Sequence, residues 1–187
     1  MAINALTNRN PNVVNCIKTP AKIENPITNQ VVETLGIWDT GATNSCITSE
    51  LAKNLNLKSI QKAMVTGVHG AQEVNVYLVD ITLNNENITI RSLVTEASEL
   101  SVDHKTGLLI GMNVISEGDL SITNFEKKTT MTFRVPSLEC VDYVSEINEH
   151  NRIVKIYKAQ EKHGNKKCPC NSGKLFENCC KKSKYNQ

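Results

Sequence analysis

One carboxylate in this 187-residue chain stands where it could do hydrolytic chemistry. Asp39 ends an apolar run, Leu35-Gly36-Ile37-Trp38, and Thr40-Gly41-Ala42 follows at once. An apolar strand thus delivers an acid to a tight turn. Two such carboxylates side by side cannot both ionise, so they share a proton and titrate as a pair. One then takes a proton from water, while the other, still protonated, polarises a carbonyl. Gly41 permits close backbone approach, and Thr40 offers a hydroxyl to hold the loop. Asp-Thr-Gly is also a good turn sequence, and taken alone it reads more often as a plain turn. The motif occurs once: Asp80, Asp103 and Asp119 lack the Thr-Gly that should follow.

A second group of side chains suits a metal. Of seven cysteines, Cys16, Cys46 and Cys140 are scattered, but Cys168, Cys170, Cys179 and Cys180 fall within thirteen residues. Four thiolates satisfy tetrahedral zinc at about 2.3 Å each. Asn171-Ser172-Gly173 supplies a turn between the two pairs, and Leu175 and Phe176 supply a minimal apolar face. So small a unit has no core of its own, and its metal affinity becomes its folding energy. The other reading is a redox-active or disulfide-linked tail. Lys166, Lys167, Lys174, Lys181, Lys182 and Lys184 make the segment basic, which suits an acidic protein surface, RNA or simple solubility. Cys46 reads as a small buried apolar residue.

The elements that must position these groups are mostly short and β-branched. Residues 31–38, 73–83, 88–94, 120–125 and 130–135 read as strands separated by Gly, Asn and Asp. Gly67-Val68-His69-Gly70 reads as a hairpin tip, with His69 a solvated turn residue or a substrate contact. Residues 49–56, capped by Thr48 or Ser49, and 111–116 read as short helices. Trp38 falls on the opposite strand face from Asp39, which predicts core or interface. After Pro136 the spacing of Leu138, Val141, Val144, Ile147, Ile153, Ile156 and Tyr157 predicts a helix over 137–160.

Composition allows one core plus an appendage. Hydrophobic residues are 40% and aromatics 4%, so aliphatic side chains must fill the interior. The net charge of +2 gives no global case for nucleic acid. No apolar window of membrane-spanning length and no signal-type core is present, which makes the cytoplasm the expected compartment.

The β region resembles the retropepsin-like family of aspartic peptidases. The apolar strand into Asp39-Thr40-Gly41-Ala42, the segment Met64 to Gly70 before a long strand, and Leu108-Leu109-Ile110-Gly111-Met112-Asn113 carry the likeness, in family order. The resemblance implies a mainly β chain with a single-lobe closed barrel. It implies Asp39, Thr40 and Gly41 as catalytic residues and Ala42, Gly67, Val68, His69 and Gly70 as substrate-binding ones. With one motif per chain, the second carboxylate is expected from another copy, as Asp39 of a homodimer. Viral members often carry Arg where Met112 stands and Asp where Thr43 stands, so the ion pair between those places is absent. The cysteine segment resembles the SEC-C motif: Cys-Pro-Cys, Ser-Gly-Lys, then Cys-Cys, with Asn171 where glycine is commonest. That implies structural zinc on Cys168, Cys170, Cys179 and Cys180, and an interaction element for a chaperone or ribosome. The expected division is 18–136 for the peptidase, 137–164 for a helical connector and 165–185 for a zinc knuckle. The expected partners are a peptide or protein substrate and a second copy, with no membrane. A non-catalytic dimeric module working through the zinc motif is the alternative.

Overall fold

The computed structural model describes residues 2–67, 70–101 and 105–182. They fall into two compact units, Met1–Leu138 and Glu139–Gln187. The first contains strands β1 (Asn4–Arg9), β2 (Lys18–Glu24), β3 (Val31–Trp38), β4 (Cys46–Thr48), β5 (Gln61–Gly67), β6 (Gly70–Thr82), β7 (Thr89–Ala97), β8 (Thr106–Ile110), β9 (Asp119–Thr123) and β10 (Thr130–Val135). Two short helices, α1 (Ser49–Asn54) and α2 (Met112–Ile115), interrupt them.

Strand order β2-β3-β8-β4-β7-β6, with β6 pairing back onto β2, closes a barrel of six strands. Closure removes the exposed edges that an open sheet would leave. β2 shows why its residues choose a strand: Thr19, Ala21 and Ile23 are buried at period two. β6 serves two places in turn. Its Tyr77, Val79 and Ile81 face the barrel interior, whereas Val74, in the opposite phase, lines a cavity beneath the β5–β6 hairpin. The shift in apolar phase along 73–83 is this change of duty. Ile23, Ile47, Val79, Ile81, Leu108 and Ile110 fill the barrel, aliphatic as the composition requires.

A second sheet, in the order β1-β10-β9, packs against the barrel. Its link is aromatic: the fully buried Phe133 meets Trp38 at a centroid distance of 5.0 Å. The Trp38 indole N–H donates to Thr19 Oγ1 at 2.9 Å, so its polar edge is satisfied in the core, where Trp38 was expected. β1 has no apolar period. Only Leu6 is buried, and the strand exists because six of its residues pair with β10. Asp119 closes the unit by accepting from Arg134, Ser137 and the Leu138 backbone N–H. Those donors, Ser137 first, hold its carboxyl well below the usual range.

Thr48 caps α1, accepting from Leu51 N–H at 3.2 Å. The helix expected over 137–160 starts later, as α3 (Tyr143–Glu161): Asp142 caps it by accepting from Val144 and Ser145 N–H, whereas the Ser137 hydroxyl is bonded to Asp119. Its apolar stripe divides: Ile153 and Tyr157 are buried, while Val144 and Ile147 are exposed. The second unit is thus small, a cluster of Ile153, Tyr157, Cys168 and Phe176.

Replacing Phe133 with Ala should destabilise the first unit by about 3–5 kcal/mol, because it empties a fully buried aromatic site. Denaturant titration of the full chain reads this directly, and a loss below about 1 kcal/mol would contradict the packing described.

Candidate active site and metal centre

β3 and β8 run parallel, with Trp38 in register with Ile110. They can approach because Gly36 carries no side chain: a Cβ there would stand 2.9 Å from Ile110 Cδ1 and 3.0 Å from Leu108 Cδ2. One residue on, Asp39 N–H donates to Ile110 O at 3.0 Å, so the strand ladder itself fixes the acid's backbone. The Asp39 carboxylate then accepts from Gly41 N–H at 2.8 Å, and Ala42 N–H bonds Asp39 O at 3.3 Å. These bonds shape the Asp39-Thr40-Gly41-Ala42 loop. Thr40 is exposed, and among the described residues its hydroxyl has no hydrogen-bond partner.

The loop rests on α2. Met112 N–H reaches Ala42 O at 2.8 Å and Asn113 N–H reaches Thr43 O at 3.1 Å. Gly111 makes this possible, since a Cβ would lie 2.6 Å from the Asn44 carbonyl carbon and 2.9 Å from Ala42 O. Asn113 completes the joint. Its Oδ1 accepts from Ser45 N–H at 2.7 Å and from Ser45 Oγ at 2.8 Å. Its Nδ2 donates to Ser92 Oγ at 2.9 Å and Leu93 O at 3.1 Å. Ser45 Oγ in turn accepts from Gly111 N–H at 2.9 Å. Neutral amide and hydroxyl groups therefore stitch these segments together. Ser45 did not stand out in the sequence, and Asn113 did so only as the last residue of the segment Leu108 to Asn113, with no role read for its amide.

Asp39 is half-buried in a cleft of about 390 Å³ that Cys16, Ile37, Ile122 and Asn124 also line. Beside it, burial and then the Asp39 charge push the Cys46 thiol up to about 11, which keeps it neutral. Gly67 pairs with Gly70 at the end of the β5–β6 hairpin, and Gly70 takes a φ of 93° that favours glycine. Val68 and His69 lie outside the described residues. Gly70 lines a second cavity, of about 480 Å³, with Val65, Gln72, Glu96 and Glu99. Glu96 accepts from Asn75 at 2.6 Å and Tyr77 at 2.9 Å, and hydrogen bonds led by that from Ser49 hold its carboxyl below the usual range. Asp39 and Gly70 thus line different cavities of one chain.

In the second unit the sulfurs of Cys168, Cys170, Cys179 and Cys180 all lie within 4.8 Å of one another. Thiolates around one tetrahedral ion would be about 3.8 Å apart, so the four can hold a metal ion. Asn171 and Gly173, with φ of 60° and 73°, make the turn between the pairs. Lys167 pairs with Leu175, and Cys168 N–H donates to Lys174 O at 2.8 Å, which draws the turn closed. Phe176 stacks on Tyr157 of α3 at 3.9 Å and 14°. The helix therefore provides the apolar wall that the cysteine segment lacks.

A closed single-lobe barrel presenting one strand-end carboxylate defines the retropepsin-like class of fold. A family model described as "Aspartyl protease" matches residues 20–114, half of the chain, and the chain belongs to that family. No curated protein matches it. Three solved structures are similar. A retropepsin-like aspartic protease from Rickettsia conorii has 11% identity and a TM-score of 0.45, covering 72% of this chain and 97% of its own. A retroviral protease-like domain from Leishmania major has 18% identity and a TM-score of 0.44, covering 68% and 97%. The protease of simian foamy virus (mac) has 16% identity and a TM-score of 0.38, covering 53% and 91%. Among the described residues no helix is long and apolar enough to cross a membrane.

Gly111→Ala should displace the Asp39 loop, since the added methyl meets backbone rather than a movable side chain. Loss of stability of about 1–3 kcal/mol is expected, together with changed amide shifts at residues 39–45 in heteronuclear NMR. Unchanged shifts there would show that α2 does not support the loop.

Proposed function

We propose that the barrel is an aspartic endopeptidase that works as a symmetric homodimer. Asp39 of each copy would form the dyad. The observation that carries this reading is Asp39 itself, one per chain, held by the Ile110 carbonyl and the Gly41 amide at the mouth of an open cleft in a barrel of the aspartyl protease family.

Paired at the two-fold axis, the two carboxylates share one proton. The ionised one takes a proton from a water, which attacks the scissile carbonyl of a peptide or protein substrate. The protonated one polarises that carbonyl and stabilises the oxyanion. The tetrahedral intermediate collapses as the leaving amine takes up a proton, and the dyad returns to its shared state. Thr40, whose hydroxyl has no hydrogen-bond partner among the described residues, is left to anchor the loop across the dyad. The β5–β6 hairpin, from Gly67 through Val68 and His69 to Gly70, closes over the substrate, and Ala42 contacts its backbone. Residues 18–136 make up the peptidase, with β1 paired onto it, residues 137–164 a connector and 165–185 a SEC-C-like knuckle. The knuckle binds zinc through Cys168, Cys170, Cys179 and Cys180 and docks the enzyme to a protein partner such as a chaperone or ribosome. The cytoplasm, where thiols stay reduced, suits that cluster.

Asp39→Asn should lower cleavage of a peptide library by about 10²–10⁴-fold while leaving sedimentation unchanged. Absence of any Asp39-dependent cleavage from about pH 4 to pH 8 would sink the enzyme reading.

Metal analysis of the full chain should find one zinc ion per chain, lost on Cys179→Ser with Cys180→Ser. A strong chelator should collapse the NMR shifts of residues 153–182 and leave those of the barrel in place. A chain that keeps those shifts without stoichiometric metal would refute a structural zinc.

A further inference from the structure

The cavity beneath the β5–β6 hairpin takes no part in the chemistry at Asp39. It measures about 480 Å³ and lies between the hairpin and the end of β7. Val65 and Val74 line it from the hairpin, and Glu96 and Ala97 line it from β7. Its volume is that of a ligand site, commonly about 300–1,000 Å³. Glu96 is fixed in this wall. Its carboxylate accepts from Asn75 Nδ2 at 2.6 Å and from the Tyr77 hydroxyl at 2.9 Å, both on β6, and from Ser49 at the start of α1.

Those donors are all neutral. Among the described residues Glu96 makes no ion pair, and Lys53 acts on it through space alone. The cation among the lining residues, Lys62, is already taken by Glu73 at 2.6 Å. A fixed negative charge in a cavity wall, held by neutral donors, favours a cation that enters the cavity. A bare metal ion fits poorly. It needs several ligand atoms gathered together, and among the described residues only the four cysteines gather so. Val65, Val74 and Ala97 meanwhile give the same space an apolar side. A cation carried on an apolar stem satisfies both walls, and the side chains of Lys and Arg have that build.

We infer that this cavity is a subsite for a lysine or arginine side chain of the substrate, and that Glu96 is the residue that selects it. The inference rests on the peptidase reading above and names the substrate class. In that reading the β5–β6 hairpin closes over the substrate, so a peptide held under it passes the cavity that Val65 and Val74 line. Asp39 lines a different cavity, so the basic residue stands away from the scissile bond and not at it.

Cleavage of a peptide library by the full chain, with Asp39→Asn as the control, tests this. Lysine or arginine should be enriched at one fixed position removed from the cleaved bond. A peptide with lysine there should be cut about fivefold better or more, in kcat/KM, than its partner with norleucine, a neutral side chain of similar length. The ratio should fall as salt is raised, a measurement that needs no variant. Glu96→Gln, which keeps an oxygen for Asn75 and Tyr77, should remove the preference, and Glu96→Lys should turn it towards glutamate. Asp39-dependent cleavage that treats lysine and norleucine alike, or a lysine preference that survives Glu96→Gln, would overturn the inference and leave the peptidase reading intact. Absence of Asp39-dependent cleavage would remove that reading instead, and binding then decides the subsite. The lysine peptide, and not the norleucine one, should shift the amide signals of residues 72–75 and 96–99 in heteronuclear NMR. Equal or absent shifts from the two peptides would overturn the subsite as well.

Discussion

The parallel contact between β3 and β8 is the constraint on which the site depends. Gly36 lets the two strands approach, Trp38 and Ile110 align, and the Ile110 carbonyl then receives the Asp39 N–H at 3.0 Å. A carboxylate delivered this way inherits the rigidity of the barrel core, because Ile110 is fully buried. Shared-proton chemistry demands that rigidity. The energy of two carboxylates a few ångströms apart changes steeply with their separation. A loop free to move by an ångström would hold no fixed dyad.

The second support is polar and local. Asn113 and Ser45 bind the Asp39 loop to α2 and β7 through uncharged hydrogen bonds, with Ser45 buried. A buried ion pair at this place would carry a desolvation cost that only good geometry offsets. An amide whose oxygen and nitrogen are both satisfied avoids that cost and still fixes orientation. Met112 and Thr43, where charge might be looked for, therefore take part through their backbone alone.

Much of this was legible in the sequence where apolar period and glycine placement coincide. The run into Asp39 and the Leu108–Gly111 segment each combine the two signals and lie in and just after barrel strands β3 and β8, and Gly67 pairs with Gly70 across from it as a turn there requires. β1 was not legible, because Leu6 is its only buried residue and pairing, not pattern, makes it a strand. The role of the Asn113 amide was silent for a related reason: a hydrogen-bond network depends on which loops meet, and sequence spacing does not report that. The start of α3 was misplaced because an apolar stripe continues upstream of Asp142, where Ser137 bonds Asp119 instead of capping a helix, and exposed Val144 and Ile147 show that periodicity does not guarantee burial. The four-cysteine cluster was the most readable feature of all, since ligand type and spacing leave few ways to arrange four sulfurs.

Trp38 ties the acid-bearing strand to the second sheet. Its backbone precedes Asp39, and its ring packs on Phe133, whose neighbours on the same sheet face lead to Ile122 at the cleft. The position of the acid and the second sheet thus share one contact. A lone chain keeps Asp39 half-exposed to water. On the dimer reading proposed above, association would supply two things at once: a second carboxylate and the exclusion of bulk water that makes their interaction strong. On the dimer reading, catalytic capacity does not reside in the folded chain. It appears only as two chains meet, so at concentrations below the dissociation constant the rate rises with the square of chain concentration.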